Sequence, residues 1–570
     1  LGEFLIFAHC FVFFRIKPEE GKMIMTENKK LTLPEMFRAS FKKYHSNNAL
    51  MFAGEAPLTY SELEVKVEEL GKQLRAIGVQ KGTKVAILSA NMPNWGISFF
   101  ATSAVGAVAV PILPDFSAAE IKNILLHAEA EYIFVSEFLR TKINREEMPQ
   151  LKVISIEELK EIEADGMLVD LPRVDDSALE YANVEEEDLL SIIYTSGTTG
   201  KSKGVMLTHK NVVWTAQQSI HLQFVDSSDR FLSVLPLSHT FENTLGLVFP
   251  IMNGCSIAYL RKAPTASVLM PALQQVKPTV MLVVPLIIEK VYKGKILPQI
   301  NSKAITRTLY KIRPFQKILS RIAGKKLLQT FGGKLKFFGI GGAKLDNEVE
   351  RFLMDAGFPL AIGYGLTETS PLLAGAVGRN VRYLSTGIPL KGVHLRIANA
   401  DPVTGEGEVQ ARGANVMKGY YKDPGLTRDV FTEDGWFRTG DLGKFDRGKL
   451  FIKGRIKNMI LGASGENIYP EEIESVINQM EYVLESLVVQ QKGRLVAMVH
   501  LNMEEIEKRF KQAKEEAVQK INARVDEILE EIQQKVNDEV NKFSRIQLVV
   551  LQPVPFEKTP TMKIKRFLYH

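Results

Sequence analysis

Short apolar runs alternate with longer amphipathic stretches along most of the chain. The runs at 84–89, 107–113, 132–135, 153–156, 189–194, 231–235, 256–260, 280–284 and 336–340 have the length and apolar density of buried strands. Residues 61–77 carry a helical period with Ser61 as N-cap, and another helix begins near Pro93. Strands that alternate with helical stretches predict parallel sheets with helices on both faces, an α/β fold. In such sheets ligands bind beyond the carboxyl ends of strands. Further along, 393–412 reads as short strands and turns, 435–448 as turn-rich, and a second domain is expected to begin near Gly454. In residues 505–543 apolar positions recur in steps of three and four: Ile506, Phe510, Ala513, Ala517, Ile521, Val525, Ile528, Ile532, Val536, Val540 and Phe543. That stripe predicts one long helix packed on a core, with a partner-helix role as the rival reading.

Composition refines this picture. At 570 residues the chain exceeds a single core, so at least two domains are expected. Only Cys10 and Cys255 are present, which excludes a disulfide framework and suits a reducing compartment. The nine histidines show no metal-ligand spacing. Residues 4–14, FLIFAHCFVFF, are apolar but too few to span a bilayer as a helix, which takes about 20 residues. Residues 1–25 are read as a leader added to the chain, in preference to an anchor or a signal peptide. The net charge is +6, and the positive excess is concentrated at 291–336, where no Asp or Glu occurs. Ile305, Leu309, Ile312, Phe315, Ile318, Leu319 and Ile322 lie among those cations at helical spacing. Two readings stand for this segment: a solvated helical hairpin, or a basic amphipathic surface on anionic lipid. Nothing in it predicts nucleic-acid readout.

The chemistry centres on residues 189–204, LLSIIYTSGTTGKSKG. A strand opens into Thr195, Ser196, Gly197, Thr198, Thr199, Gly200, Lys201 and Ser202, with Lys203 and Gly204 closing the loop. Backbone N–H groups, hydroxyls and lysines suit a phosphate chain, and glycine lets the backbone come close. The nucleoside-triphosphatase P-loop would need glycine at position 195, where threonine stands.

The string YTSGTTGKSKG resembles the signature of the adenylate-forming (ANL) superfamily, and five further motifs follow in order. They are PLSHTFE (236–242), GIGGAKL (339–345), YGLTET (364–369), TGD (439–441) with GRIKNMI (454–460), and KTPTMKIKR (558–566). The resemblance covers essentially 31–568. It implies a large N-terminal domain, 26–453, of parallel and mixed sheets flanked by helices with a small β-barrel-like region. It implies also a small mobile α+β domain, 454–570, with a helical insertion at 503–543.

By the same resemblance, His239 lines the acyl entrance, and Gly341, Gly342, Ala343, Tyr364 and Gly365 form the adenine side. Thr367 meets the α-phosphate, Glu368 with Thr198 holds Mg²⁺, and Asp441 with Arg455 takes the ribose. Lys457 is the hinge, Gly462, Ser464, Gly465 and Glu466 line the pantetheine tunnel, and Lys563 bridges carboxylate and phosphate. Met562 stands where the family usually has glycine, so Lys563 and Lys565 remain alternatives for the operative lysine. Trp214 is read as core, with a pocket gate as the rival. The segment 283–295 with the basic stretch after it resembles long-chain fatty acyl-CoA synthetases. The implied activity uses ATP, Mg²⁺, a long-chain fatty acid and CoA, in the cytoplasm or on the inner membrane face. Transfer to a carrier protein and a non-catalytic acyl or nucleotide sensor are the alternatives.

Overall fold

The computed structural model describes residues 30–569 apart from 176, 196–201, 462–466, 492, 511–515 and 560–562. The apolar stretch 4–14, most of the phosphate loop and the tunnel residues therefore lie outside the described residues. Among these, two nine-stranded sheets dominate. The first runs Gly419–Tyr420, Lys203–Thr208, Leu189–Thr195, Val108–Ile112, Lys84–Leu88, Tyr132–Val135, Lys152–Ser155, Lys160–Ile162 and Leu168–Val169. Its middle strands, from Leu189–Thr195 to Lys152–Ser155, are parallel, and both margins turn antiparallel. The second runs Ile388–Pro389, Ala374–Val377, Leu360–Tyr364, Phe337–Ile340, Val280–Val283, Arg230–Ser233, Ser256–Tyr259, Asn48–Phe52 and Leu58–Thr59. It is parallel from Leu360–Tyr364 to Asn48–Phe52. The strand positions expected from apolar runs are met to within a residue or two at each end.

One apolar core joins the two sheets. It passes from Val85 and Ile87 of the first, through Trp95, Phe99 and Phe100, to Ile257 and Tyr259 of the second. The helix Pro93–Ala104 is buried almost all round, which explains its unbroken apolar and small-residue sequence. The helix Tyr60–Ala76 begins one turn-residue earlier than expected. Thr59, not Ser61, caps it: the Glu62 N–H donates to Thr59 Oγ1 at 3.2 Å, and Glu62 Oε2 accepts from the Thr59 N–H at 2.8 Å. This reciprocal capping box satisfies two otherwise orphaned donors, an advantage Ser61 lacks.

Two further corrections concern the second half of the chain. The segment expected as turn-rich holds a ten-residue strand, Phe437–Asp446, inside a four-stranded antiparallel sheet with His394–Ala398, Gly407–Arg412 and Lys449–Arg455. Its glycines mark a bulge, since the register with Lys449–Arg455 shifts between Leu442 and Gly443. A Cβ on Gly443 would stand 2.7 Å from the Phe451 carbonyl oxygen, so the bulge demands glycine there. The helical stretch is described as Met503–Phe510 and Glu516–Glu539, with 511–515 outside the described residues, and it gives way to a short turn at Lys542–Ser544. Ile506, Val525, Ile528, Ile532 and Val536 are buried against a three-stranded sheet, Val483–Gln491, Arg494–Leu501 and Leu548–Leu551. Phe543 leaves the stripe and is exposed, because Asn541 accepts from the Phe543 and Ser544 N–H groups and turns the chain away. No helix among the described residues is long and apolar enough to cross a membrane.

Candidate active site

The strands Phe337–Ile340 and Leu360–Tyr364 lie side by side and in parallel, so their carboxyl ends deliver two loops to one place. From the first come Gly341, Gly342 and Ala343; Gly342 has φ +84°, the left-handed region. A Cβ on Gly341 would lie 3.2 Å from the Phe241 ring, so that loop lies against the turn carrying His239 and Phe241. From the second come Tyr364, Gly365 and a tight turn at Thr367–Thr369. Gly365 admits no side chain, because a Cβ there would fall 1.8 Å from the Pro371 carbonyl oxygen.

Asp441 is buried and held from two directions. Tyr364 donates its hydroxyl to Oδ2 at 2.8 Å, and Arg455 Nε pairs with Oδ1 at 2.7 Å. Burial pushes the Asp441 carboxyl above its usual range, while Arg455 and the Tyr364 hydroxyl pull the other way. Thr439 sets its place: the Asp441 N–H donates to Thr439 Oγ1, which itself donates to the Val409 carbonyl. A carboxylate has about four lone-pair directions, so two remain for further donors.

Glu368 accepts the Tyr420 hydroxyl on Oε1 at 2.8 Å, leaving the second oxygen uncommitted to that bond. Lys203 stands over the Tyr420 ring at 5.4 Å. Burial and the neighbouring Lys457 charge hold Lys203 below its ordinary pKa, whereas Glu368 and Asp423 act to raise it. Thr195 ends its strand opposite Lys203, so the two strands on either side of the phosphate-loop sequence pair antiparallel, and Lys203 lies near enough to Glu368 to feel its charge. Ser196, Gly197, Thr198, Thr199, Gly200 and Lys201 themselves lie outside the described residues.

Lys563 completes the cluster. Its carbonyl accepts the Thr559 N–H at 2.7 Å. Burial and Arg455 lower the Lys563 pKa, and Asp441 with Glu368 partly restore it. Lys563 and Arg455 nonetheless keep solvent contact at the surface of the cluster. Lys565 faces away and pairs with Glu557 at 3.7 Å. His239 lies close enough to Lys563 to be affected by it: burial first, then that charge, pulls the imidazole down to about 4. Its Nδ1 accepts the Phe241 N–H at 3.2 Å, so the neutral ring carries its proton on Nε2.

The helix Pro470–Ile477 ties this assembly together. Glu471 accepts from Asn458 at 2.6 Å, Glu472 pairs with Lys453 at 2.8 Å, and Glu474 binds Arg566, three residues beyond Lys563. Just past the helix, the Asn478 carbonyl accepts Lys293 Nζ at 2.7 Å. Lys457 sits in the short turn Ile456–Asn458 that precedes the strand pair Ile460–Leu461 and Asn467–Ile468. Gly462, Ser464, Gly465 and Glu466 fall between those strands, outside the described residues.

Residues 37–421 match the AMP-binding enzyme family. The chain belongs to that family. Among relatives, the long-chain-fatty-acid–CoA ligase FadD15 of Mycobacterium bovis is 30% identical over 464 residues, 75% of each chain. The chloroplastic long-chain-fatty-acid–acyl-carrier-protein ligase AEE15 of Arabidopsis thaliana is 27% identical, over 96% of this chain and 86% of that one. The o-succinylbenzoate CoA synthetase of Bacillus subtilis, solved with its acyl-adenylate intermediate, superposes with a TM-score of 0.74 at 21% identity, covering 94% and 98% of the two chains. The fold is therefore that of the adenylate-forming superfamily, and among its relatives the chain resembles long-chain acyl-CoA synthetases.

Sequence reasoning placed Lys203 in the phosphate loop and Thr439 in the TGD string without giving either its own part in the cluster, and it passed over Tyr420, which joins through tertiary pairing. Trp214 is half-buried against Gly392, where a Cβ would approach its ring to 2.7 Å, in keeping with a packing role.

Proposed function

We propose that this protein activates a long-chain fatty acid with ATP and passes the acyl group to CoA. The observation that carries the reading is the meeting of Lys563, Glu368, Asp441, Arg455 and neutral His239 in one cluster, near the ends of two parallel strands. In the first half-reaction a carboxylate oxygen attacks the α-phosphorus, and the bond to the bridging oxygen breaks. The products are acyl-adenylate and pyrophosphate. Lys563 and Arg455 offer cationic groups where negative charge gathers on entering and leaving oxygens. Asp441 uses its free lone pairs for the ribose hydroxyls, and Tyr364 with Gly341 and Gly342 forms a flat slot for adenine. In the second half-reaction a thiol attacks the acyl carbon, AMP leaves, and the thiol proton goes to solvent or to AMP.

A divalent ion fits this donor set. Among the described residues no three His, Cys, Asp or Glu side chains gather, so Mg²⁺ would be held by Glu368, by phosphate oxygens and by water, the arrangement that ion favours. When bound, it screens the triphosphate and polarises the α-phosphate. We assign residues 454–570 to the mobile domain, with Lys457 at its hinge and the 462–466 loop at the thiol tunnel, and take Lys563 over Lys565 as the operative lysine. The absence of any disulfide framework supports a cytoplasmic setting.

Enzyme incubated with ATP, Mg²⁺, palmitate and CoA is expected to yield AMP, pyrophosphate and palmitoyl-CoA. Formation of ADP in place of AMP would overturn the reading. A second acceptor is supported by the carrier-protein ligase relative, which aligns over nearly the whole chain. AMP release driven by a phosphopantetheinylated carrier protein and indifferent to CoA would replace the first acceptor with the second.

A further inference from the structure

The helix Ala304–Tyr310 packs on Arg313–Thr330, which packs in turn on the helices Asn347–Ala356 and Ala266–Val276, yet the pair presents a second apolar face outward. In the longer helix Ser320, Gly324 and Leu327 are buried. Phe315, Ile318 and Ile322, spaced three and four apart on the opposite side, are 45%, 52% and 52% exposed. Ile305 of the shorter helix is 74% exposed and Ile312 of the connection 47%. A helix with one apolar stripe needs one partner; this one has a stripe for the core and another that meets water. Five large apolar side chains left in solvent in one small region mark an interaction site.

The surroundings identify the partner's chemistry. Lys303, Arg307, Lys311, Lys317, Arg321 and Lys325 flank the stripe, and none of them is ion-paired among the described residues. No acidic residue occurs anywhere from Val291 to Lys336. A second copy of this face would bring cation against cation. An apolar stripe flanked by unpaired cations matches the boundary between acyl chains and anionic headgroups. We propose that this helix pair docks the protein on an anionic bilayer, with Phe315, Ile318 and Ile322 inserted below the headgroups and the six cations at phosphate level. The helices follow the strand Val280–Val283 through Pro285–Val291, and Val284 at that strand's end lies 3.7 Å from where a Gly342 Cβ would be. Docking would thus hold the cluster close to the reservoir in which a long acyl chain resides.

The test uses the full chain and lipid alone, without ATP or fatty acid, so its outcome is independent of the activity proposed above. Large unilamellar vesicles of phosphatidylcholine, with or without a quarter phosphatidylglycerol, are floated with the protein. Wild-type protein is expected on the anionic vesicles and to be released from them in part as salt rises. A variant with Lys317→Gln, Arg321→Gln and Lys325→Gln is expected to lose about a hundredfold in partitioning, at roughly fivefold per cation. A variant with Phe315→Ser, Ile318→Ser and Ile322→Ser is expected to lose the salt-resistant part of binding. Both sets of side chains are exposed, so melting temperatures near wild type serve as the folding control. Equal binding of wild type and both variants, or no binding to anionic vesicles, overturns the proposal. A wild-type dimer that dissociates in the serine variant overturns it too, and assigns the face to a contact between copies.

Discussion

Glu242 offers a prediction whose size follows from where it sits. Its side chain is buried, Oε2 has no hydrogen-bond partner, and the carboxyl occupies the notch left by Gly246, where a Cβ would lie 2.6 Å from Cδ. Burial pushes its pKa from 4.5 up to about 8, against a weaker opposing hydrogen bond from Ser233. The folded protein therefore keeps a proton on Glu242 at neutral pH that the unfolded chain releases. With the folded value above the unfolded one, the stabilisation is complete below about pH 4.5 and is lost as pH rises toward 8. His239, pulled down to about 4, contributes with the opposite sign between that value and 6.5. Between pH 6.5 and 8 Glu350, which burial raises to about 7, contributes as well, and comparison with Glu242→Gln subtracts everything the two proteins share. At about 1.4 kcal/mol for each pH unit, the loss from Glu242 across this window is on the order of 2 kcal/mol. Urea unfolding followed by tryptophan fluorescence at the two ends of the window, on wild type and Glu242→Gln, measures it. Glutamine keeps the shape and cannot ionise, so its stability is expected to change less than that of wild type by this amount. Identical pH dependence in the two proteins would refute the reasoning.

Other outcomes follow from the cluster itself. Lys563→Ala is expected to lower pyrophosphate exchange by about a hundred- to a thousandfold, the usual scale for a transition-state donor, while Lys565→Ala leaves it near wild type. The reverse ordering would move the operative role to the outer lysine. Tyr420→Phe removes the donor to Glu368 and is expected to cost about tenfold in kcat/KM for MgATP, a charged hydrogen bond contributing roughly 1.5–3 kcal/mol. Unchanged kinetics would show that Glu368 does not depend on that hydroxyl. Gly365→Ala drives a methyl into the Pro371 carbonyl and is expected to abolish soluble expression or lower the unfolding free energy, read from urea titration, by roughly 1–3 kcal/mol or more. Normal folding and activity would contradict the packing described.

Much of this was legible in the chain. Buried strands announce themselves as short apolar runs, since both faces of a parallel sheet are covered, and Val85 to Leu88 or Val280 to Val283 read correctly for that reason. The misreadings share a cause: local signals were overruled by pairing partners far away. Gly440 and Gly443 look like turn residues, yet Gly407–Arg412 and Lys449–Arg455 draw that segment into a bulged strand. At Thr59 and Ser61 two acceptable caps competed, and Glu62 at the third position decided for threonine. The site residues were findable where they came as strings, because phosphate and sugar chemistry demands them in loops. Tyr420 could not be found that way; it reaches Glu368 only because Gly419–Tyr420 pairs with Lys203–Thr208.

The bond from Lys293 to Asn478 joins the root of the basic helices to the helix that also holds Arg566. On the domain movement proposed above, a swing that withdraws Lys563 must first unclasp this strap. If the basic helices are moored to a bilayer, the swing is then a movement against a fixed deck, and the moored surface gains a mechanical say in when the second half of the catalytic cycle begins.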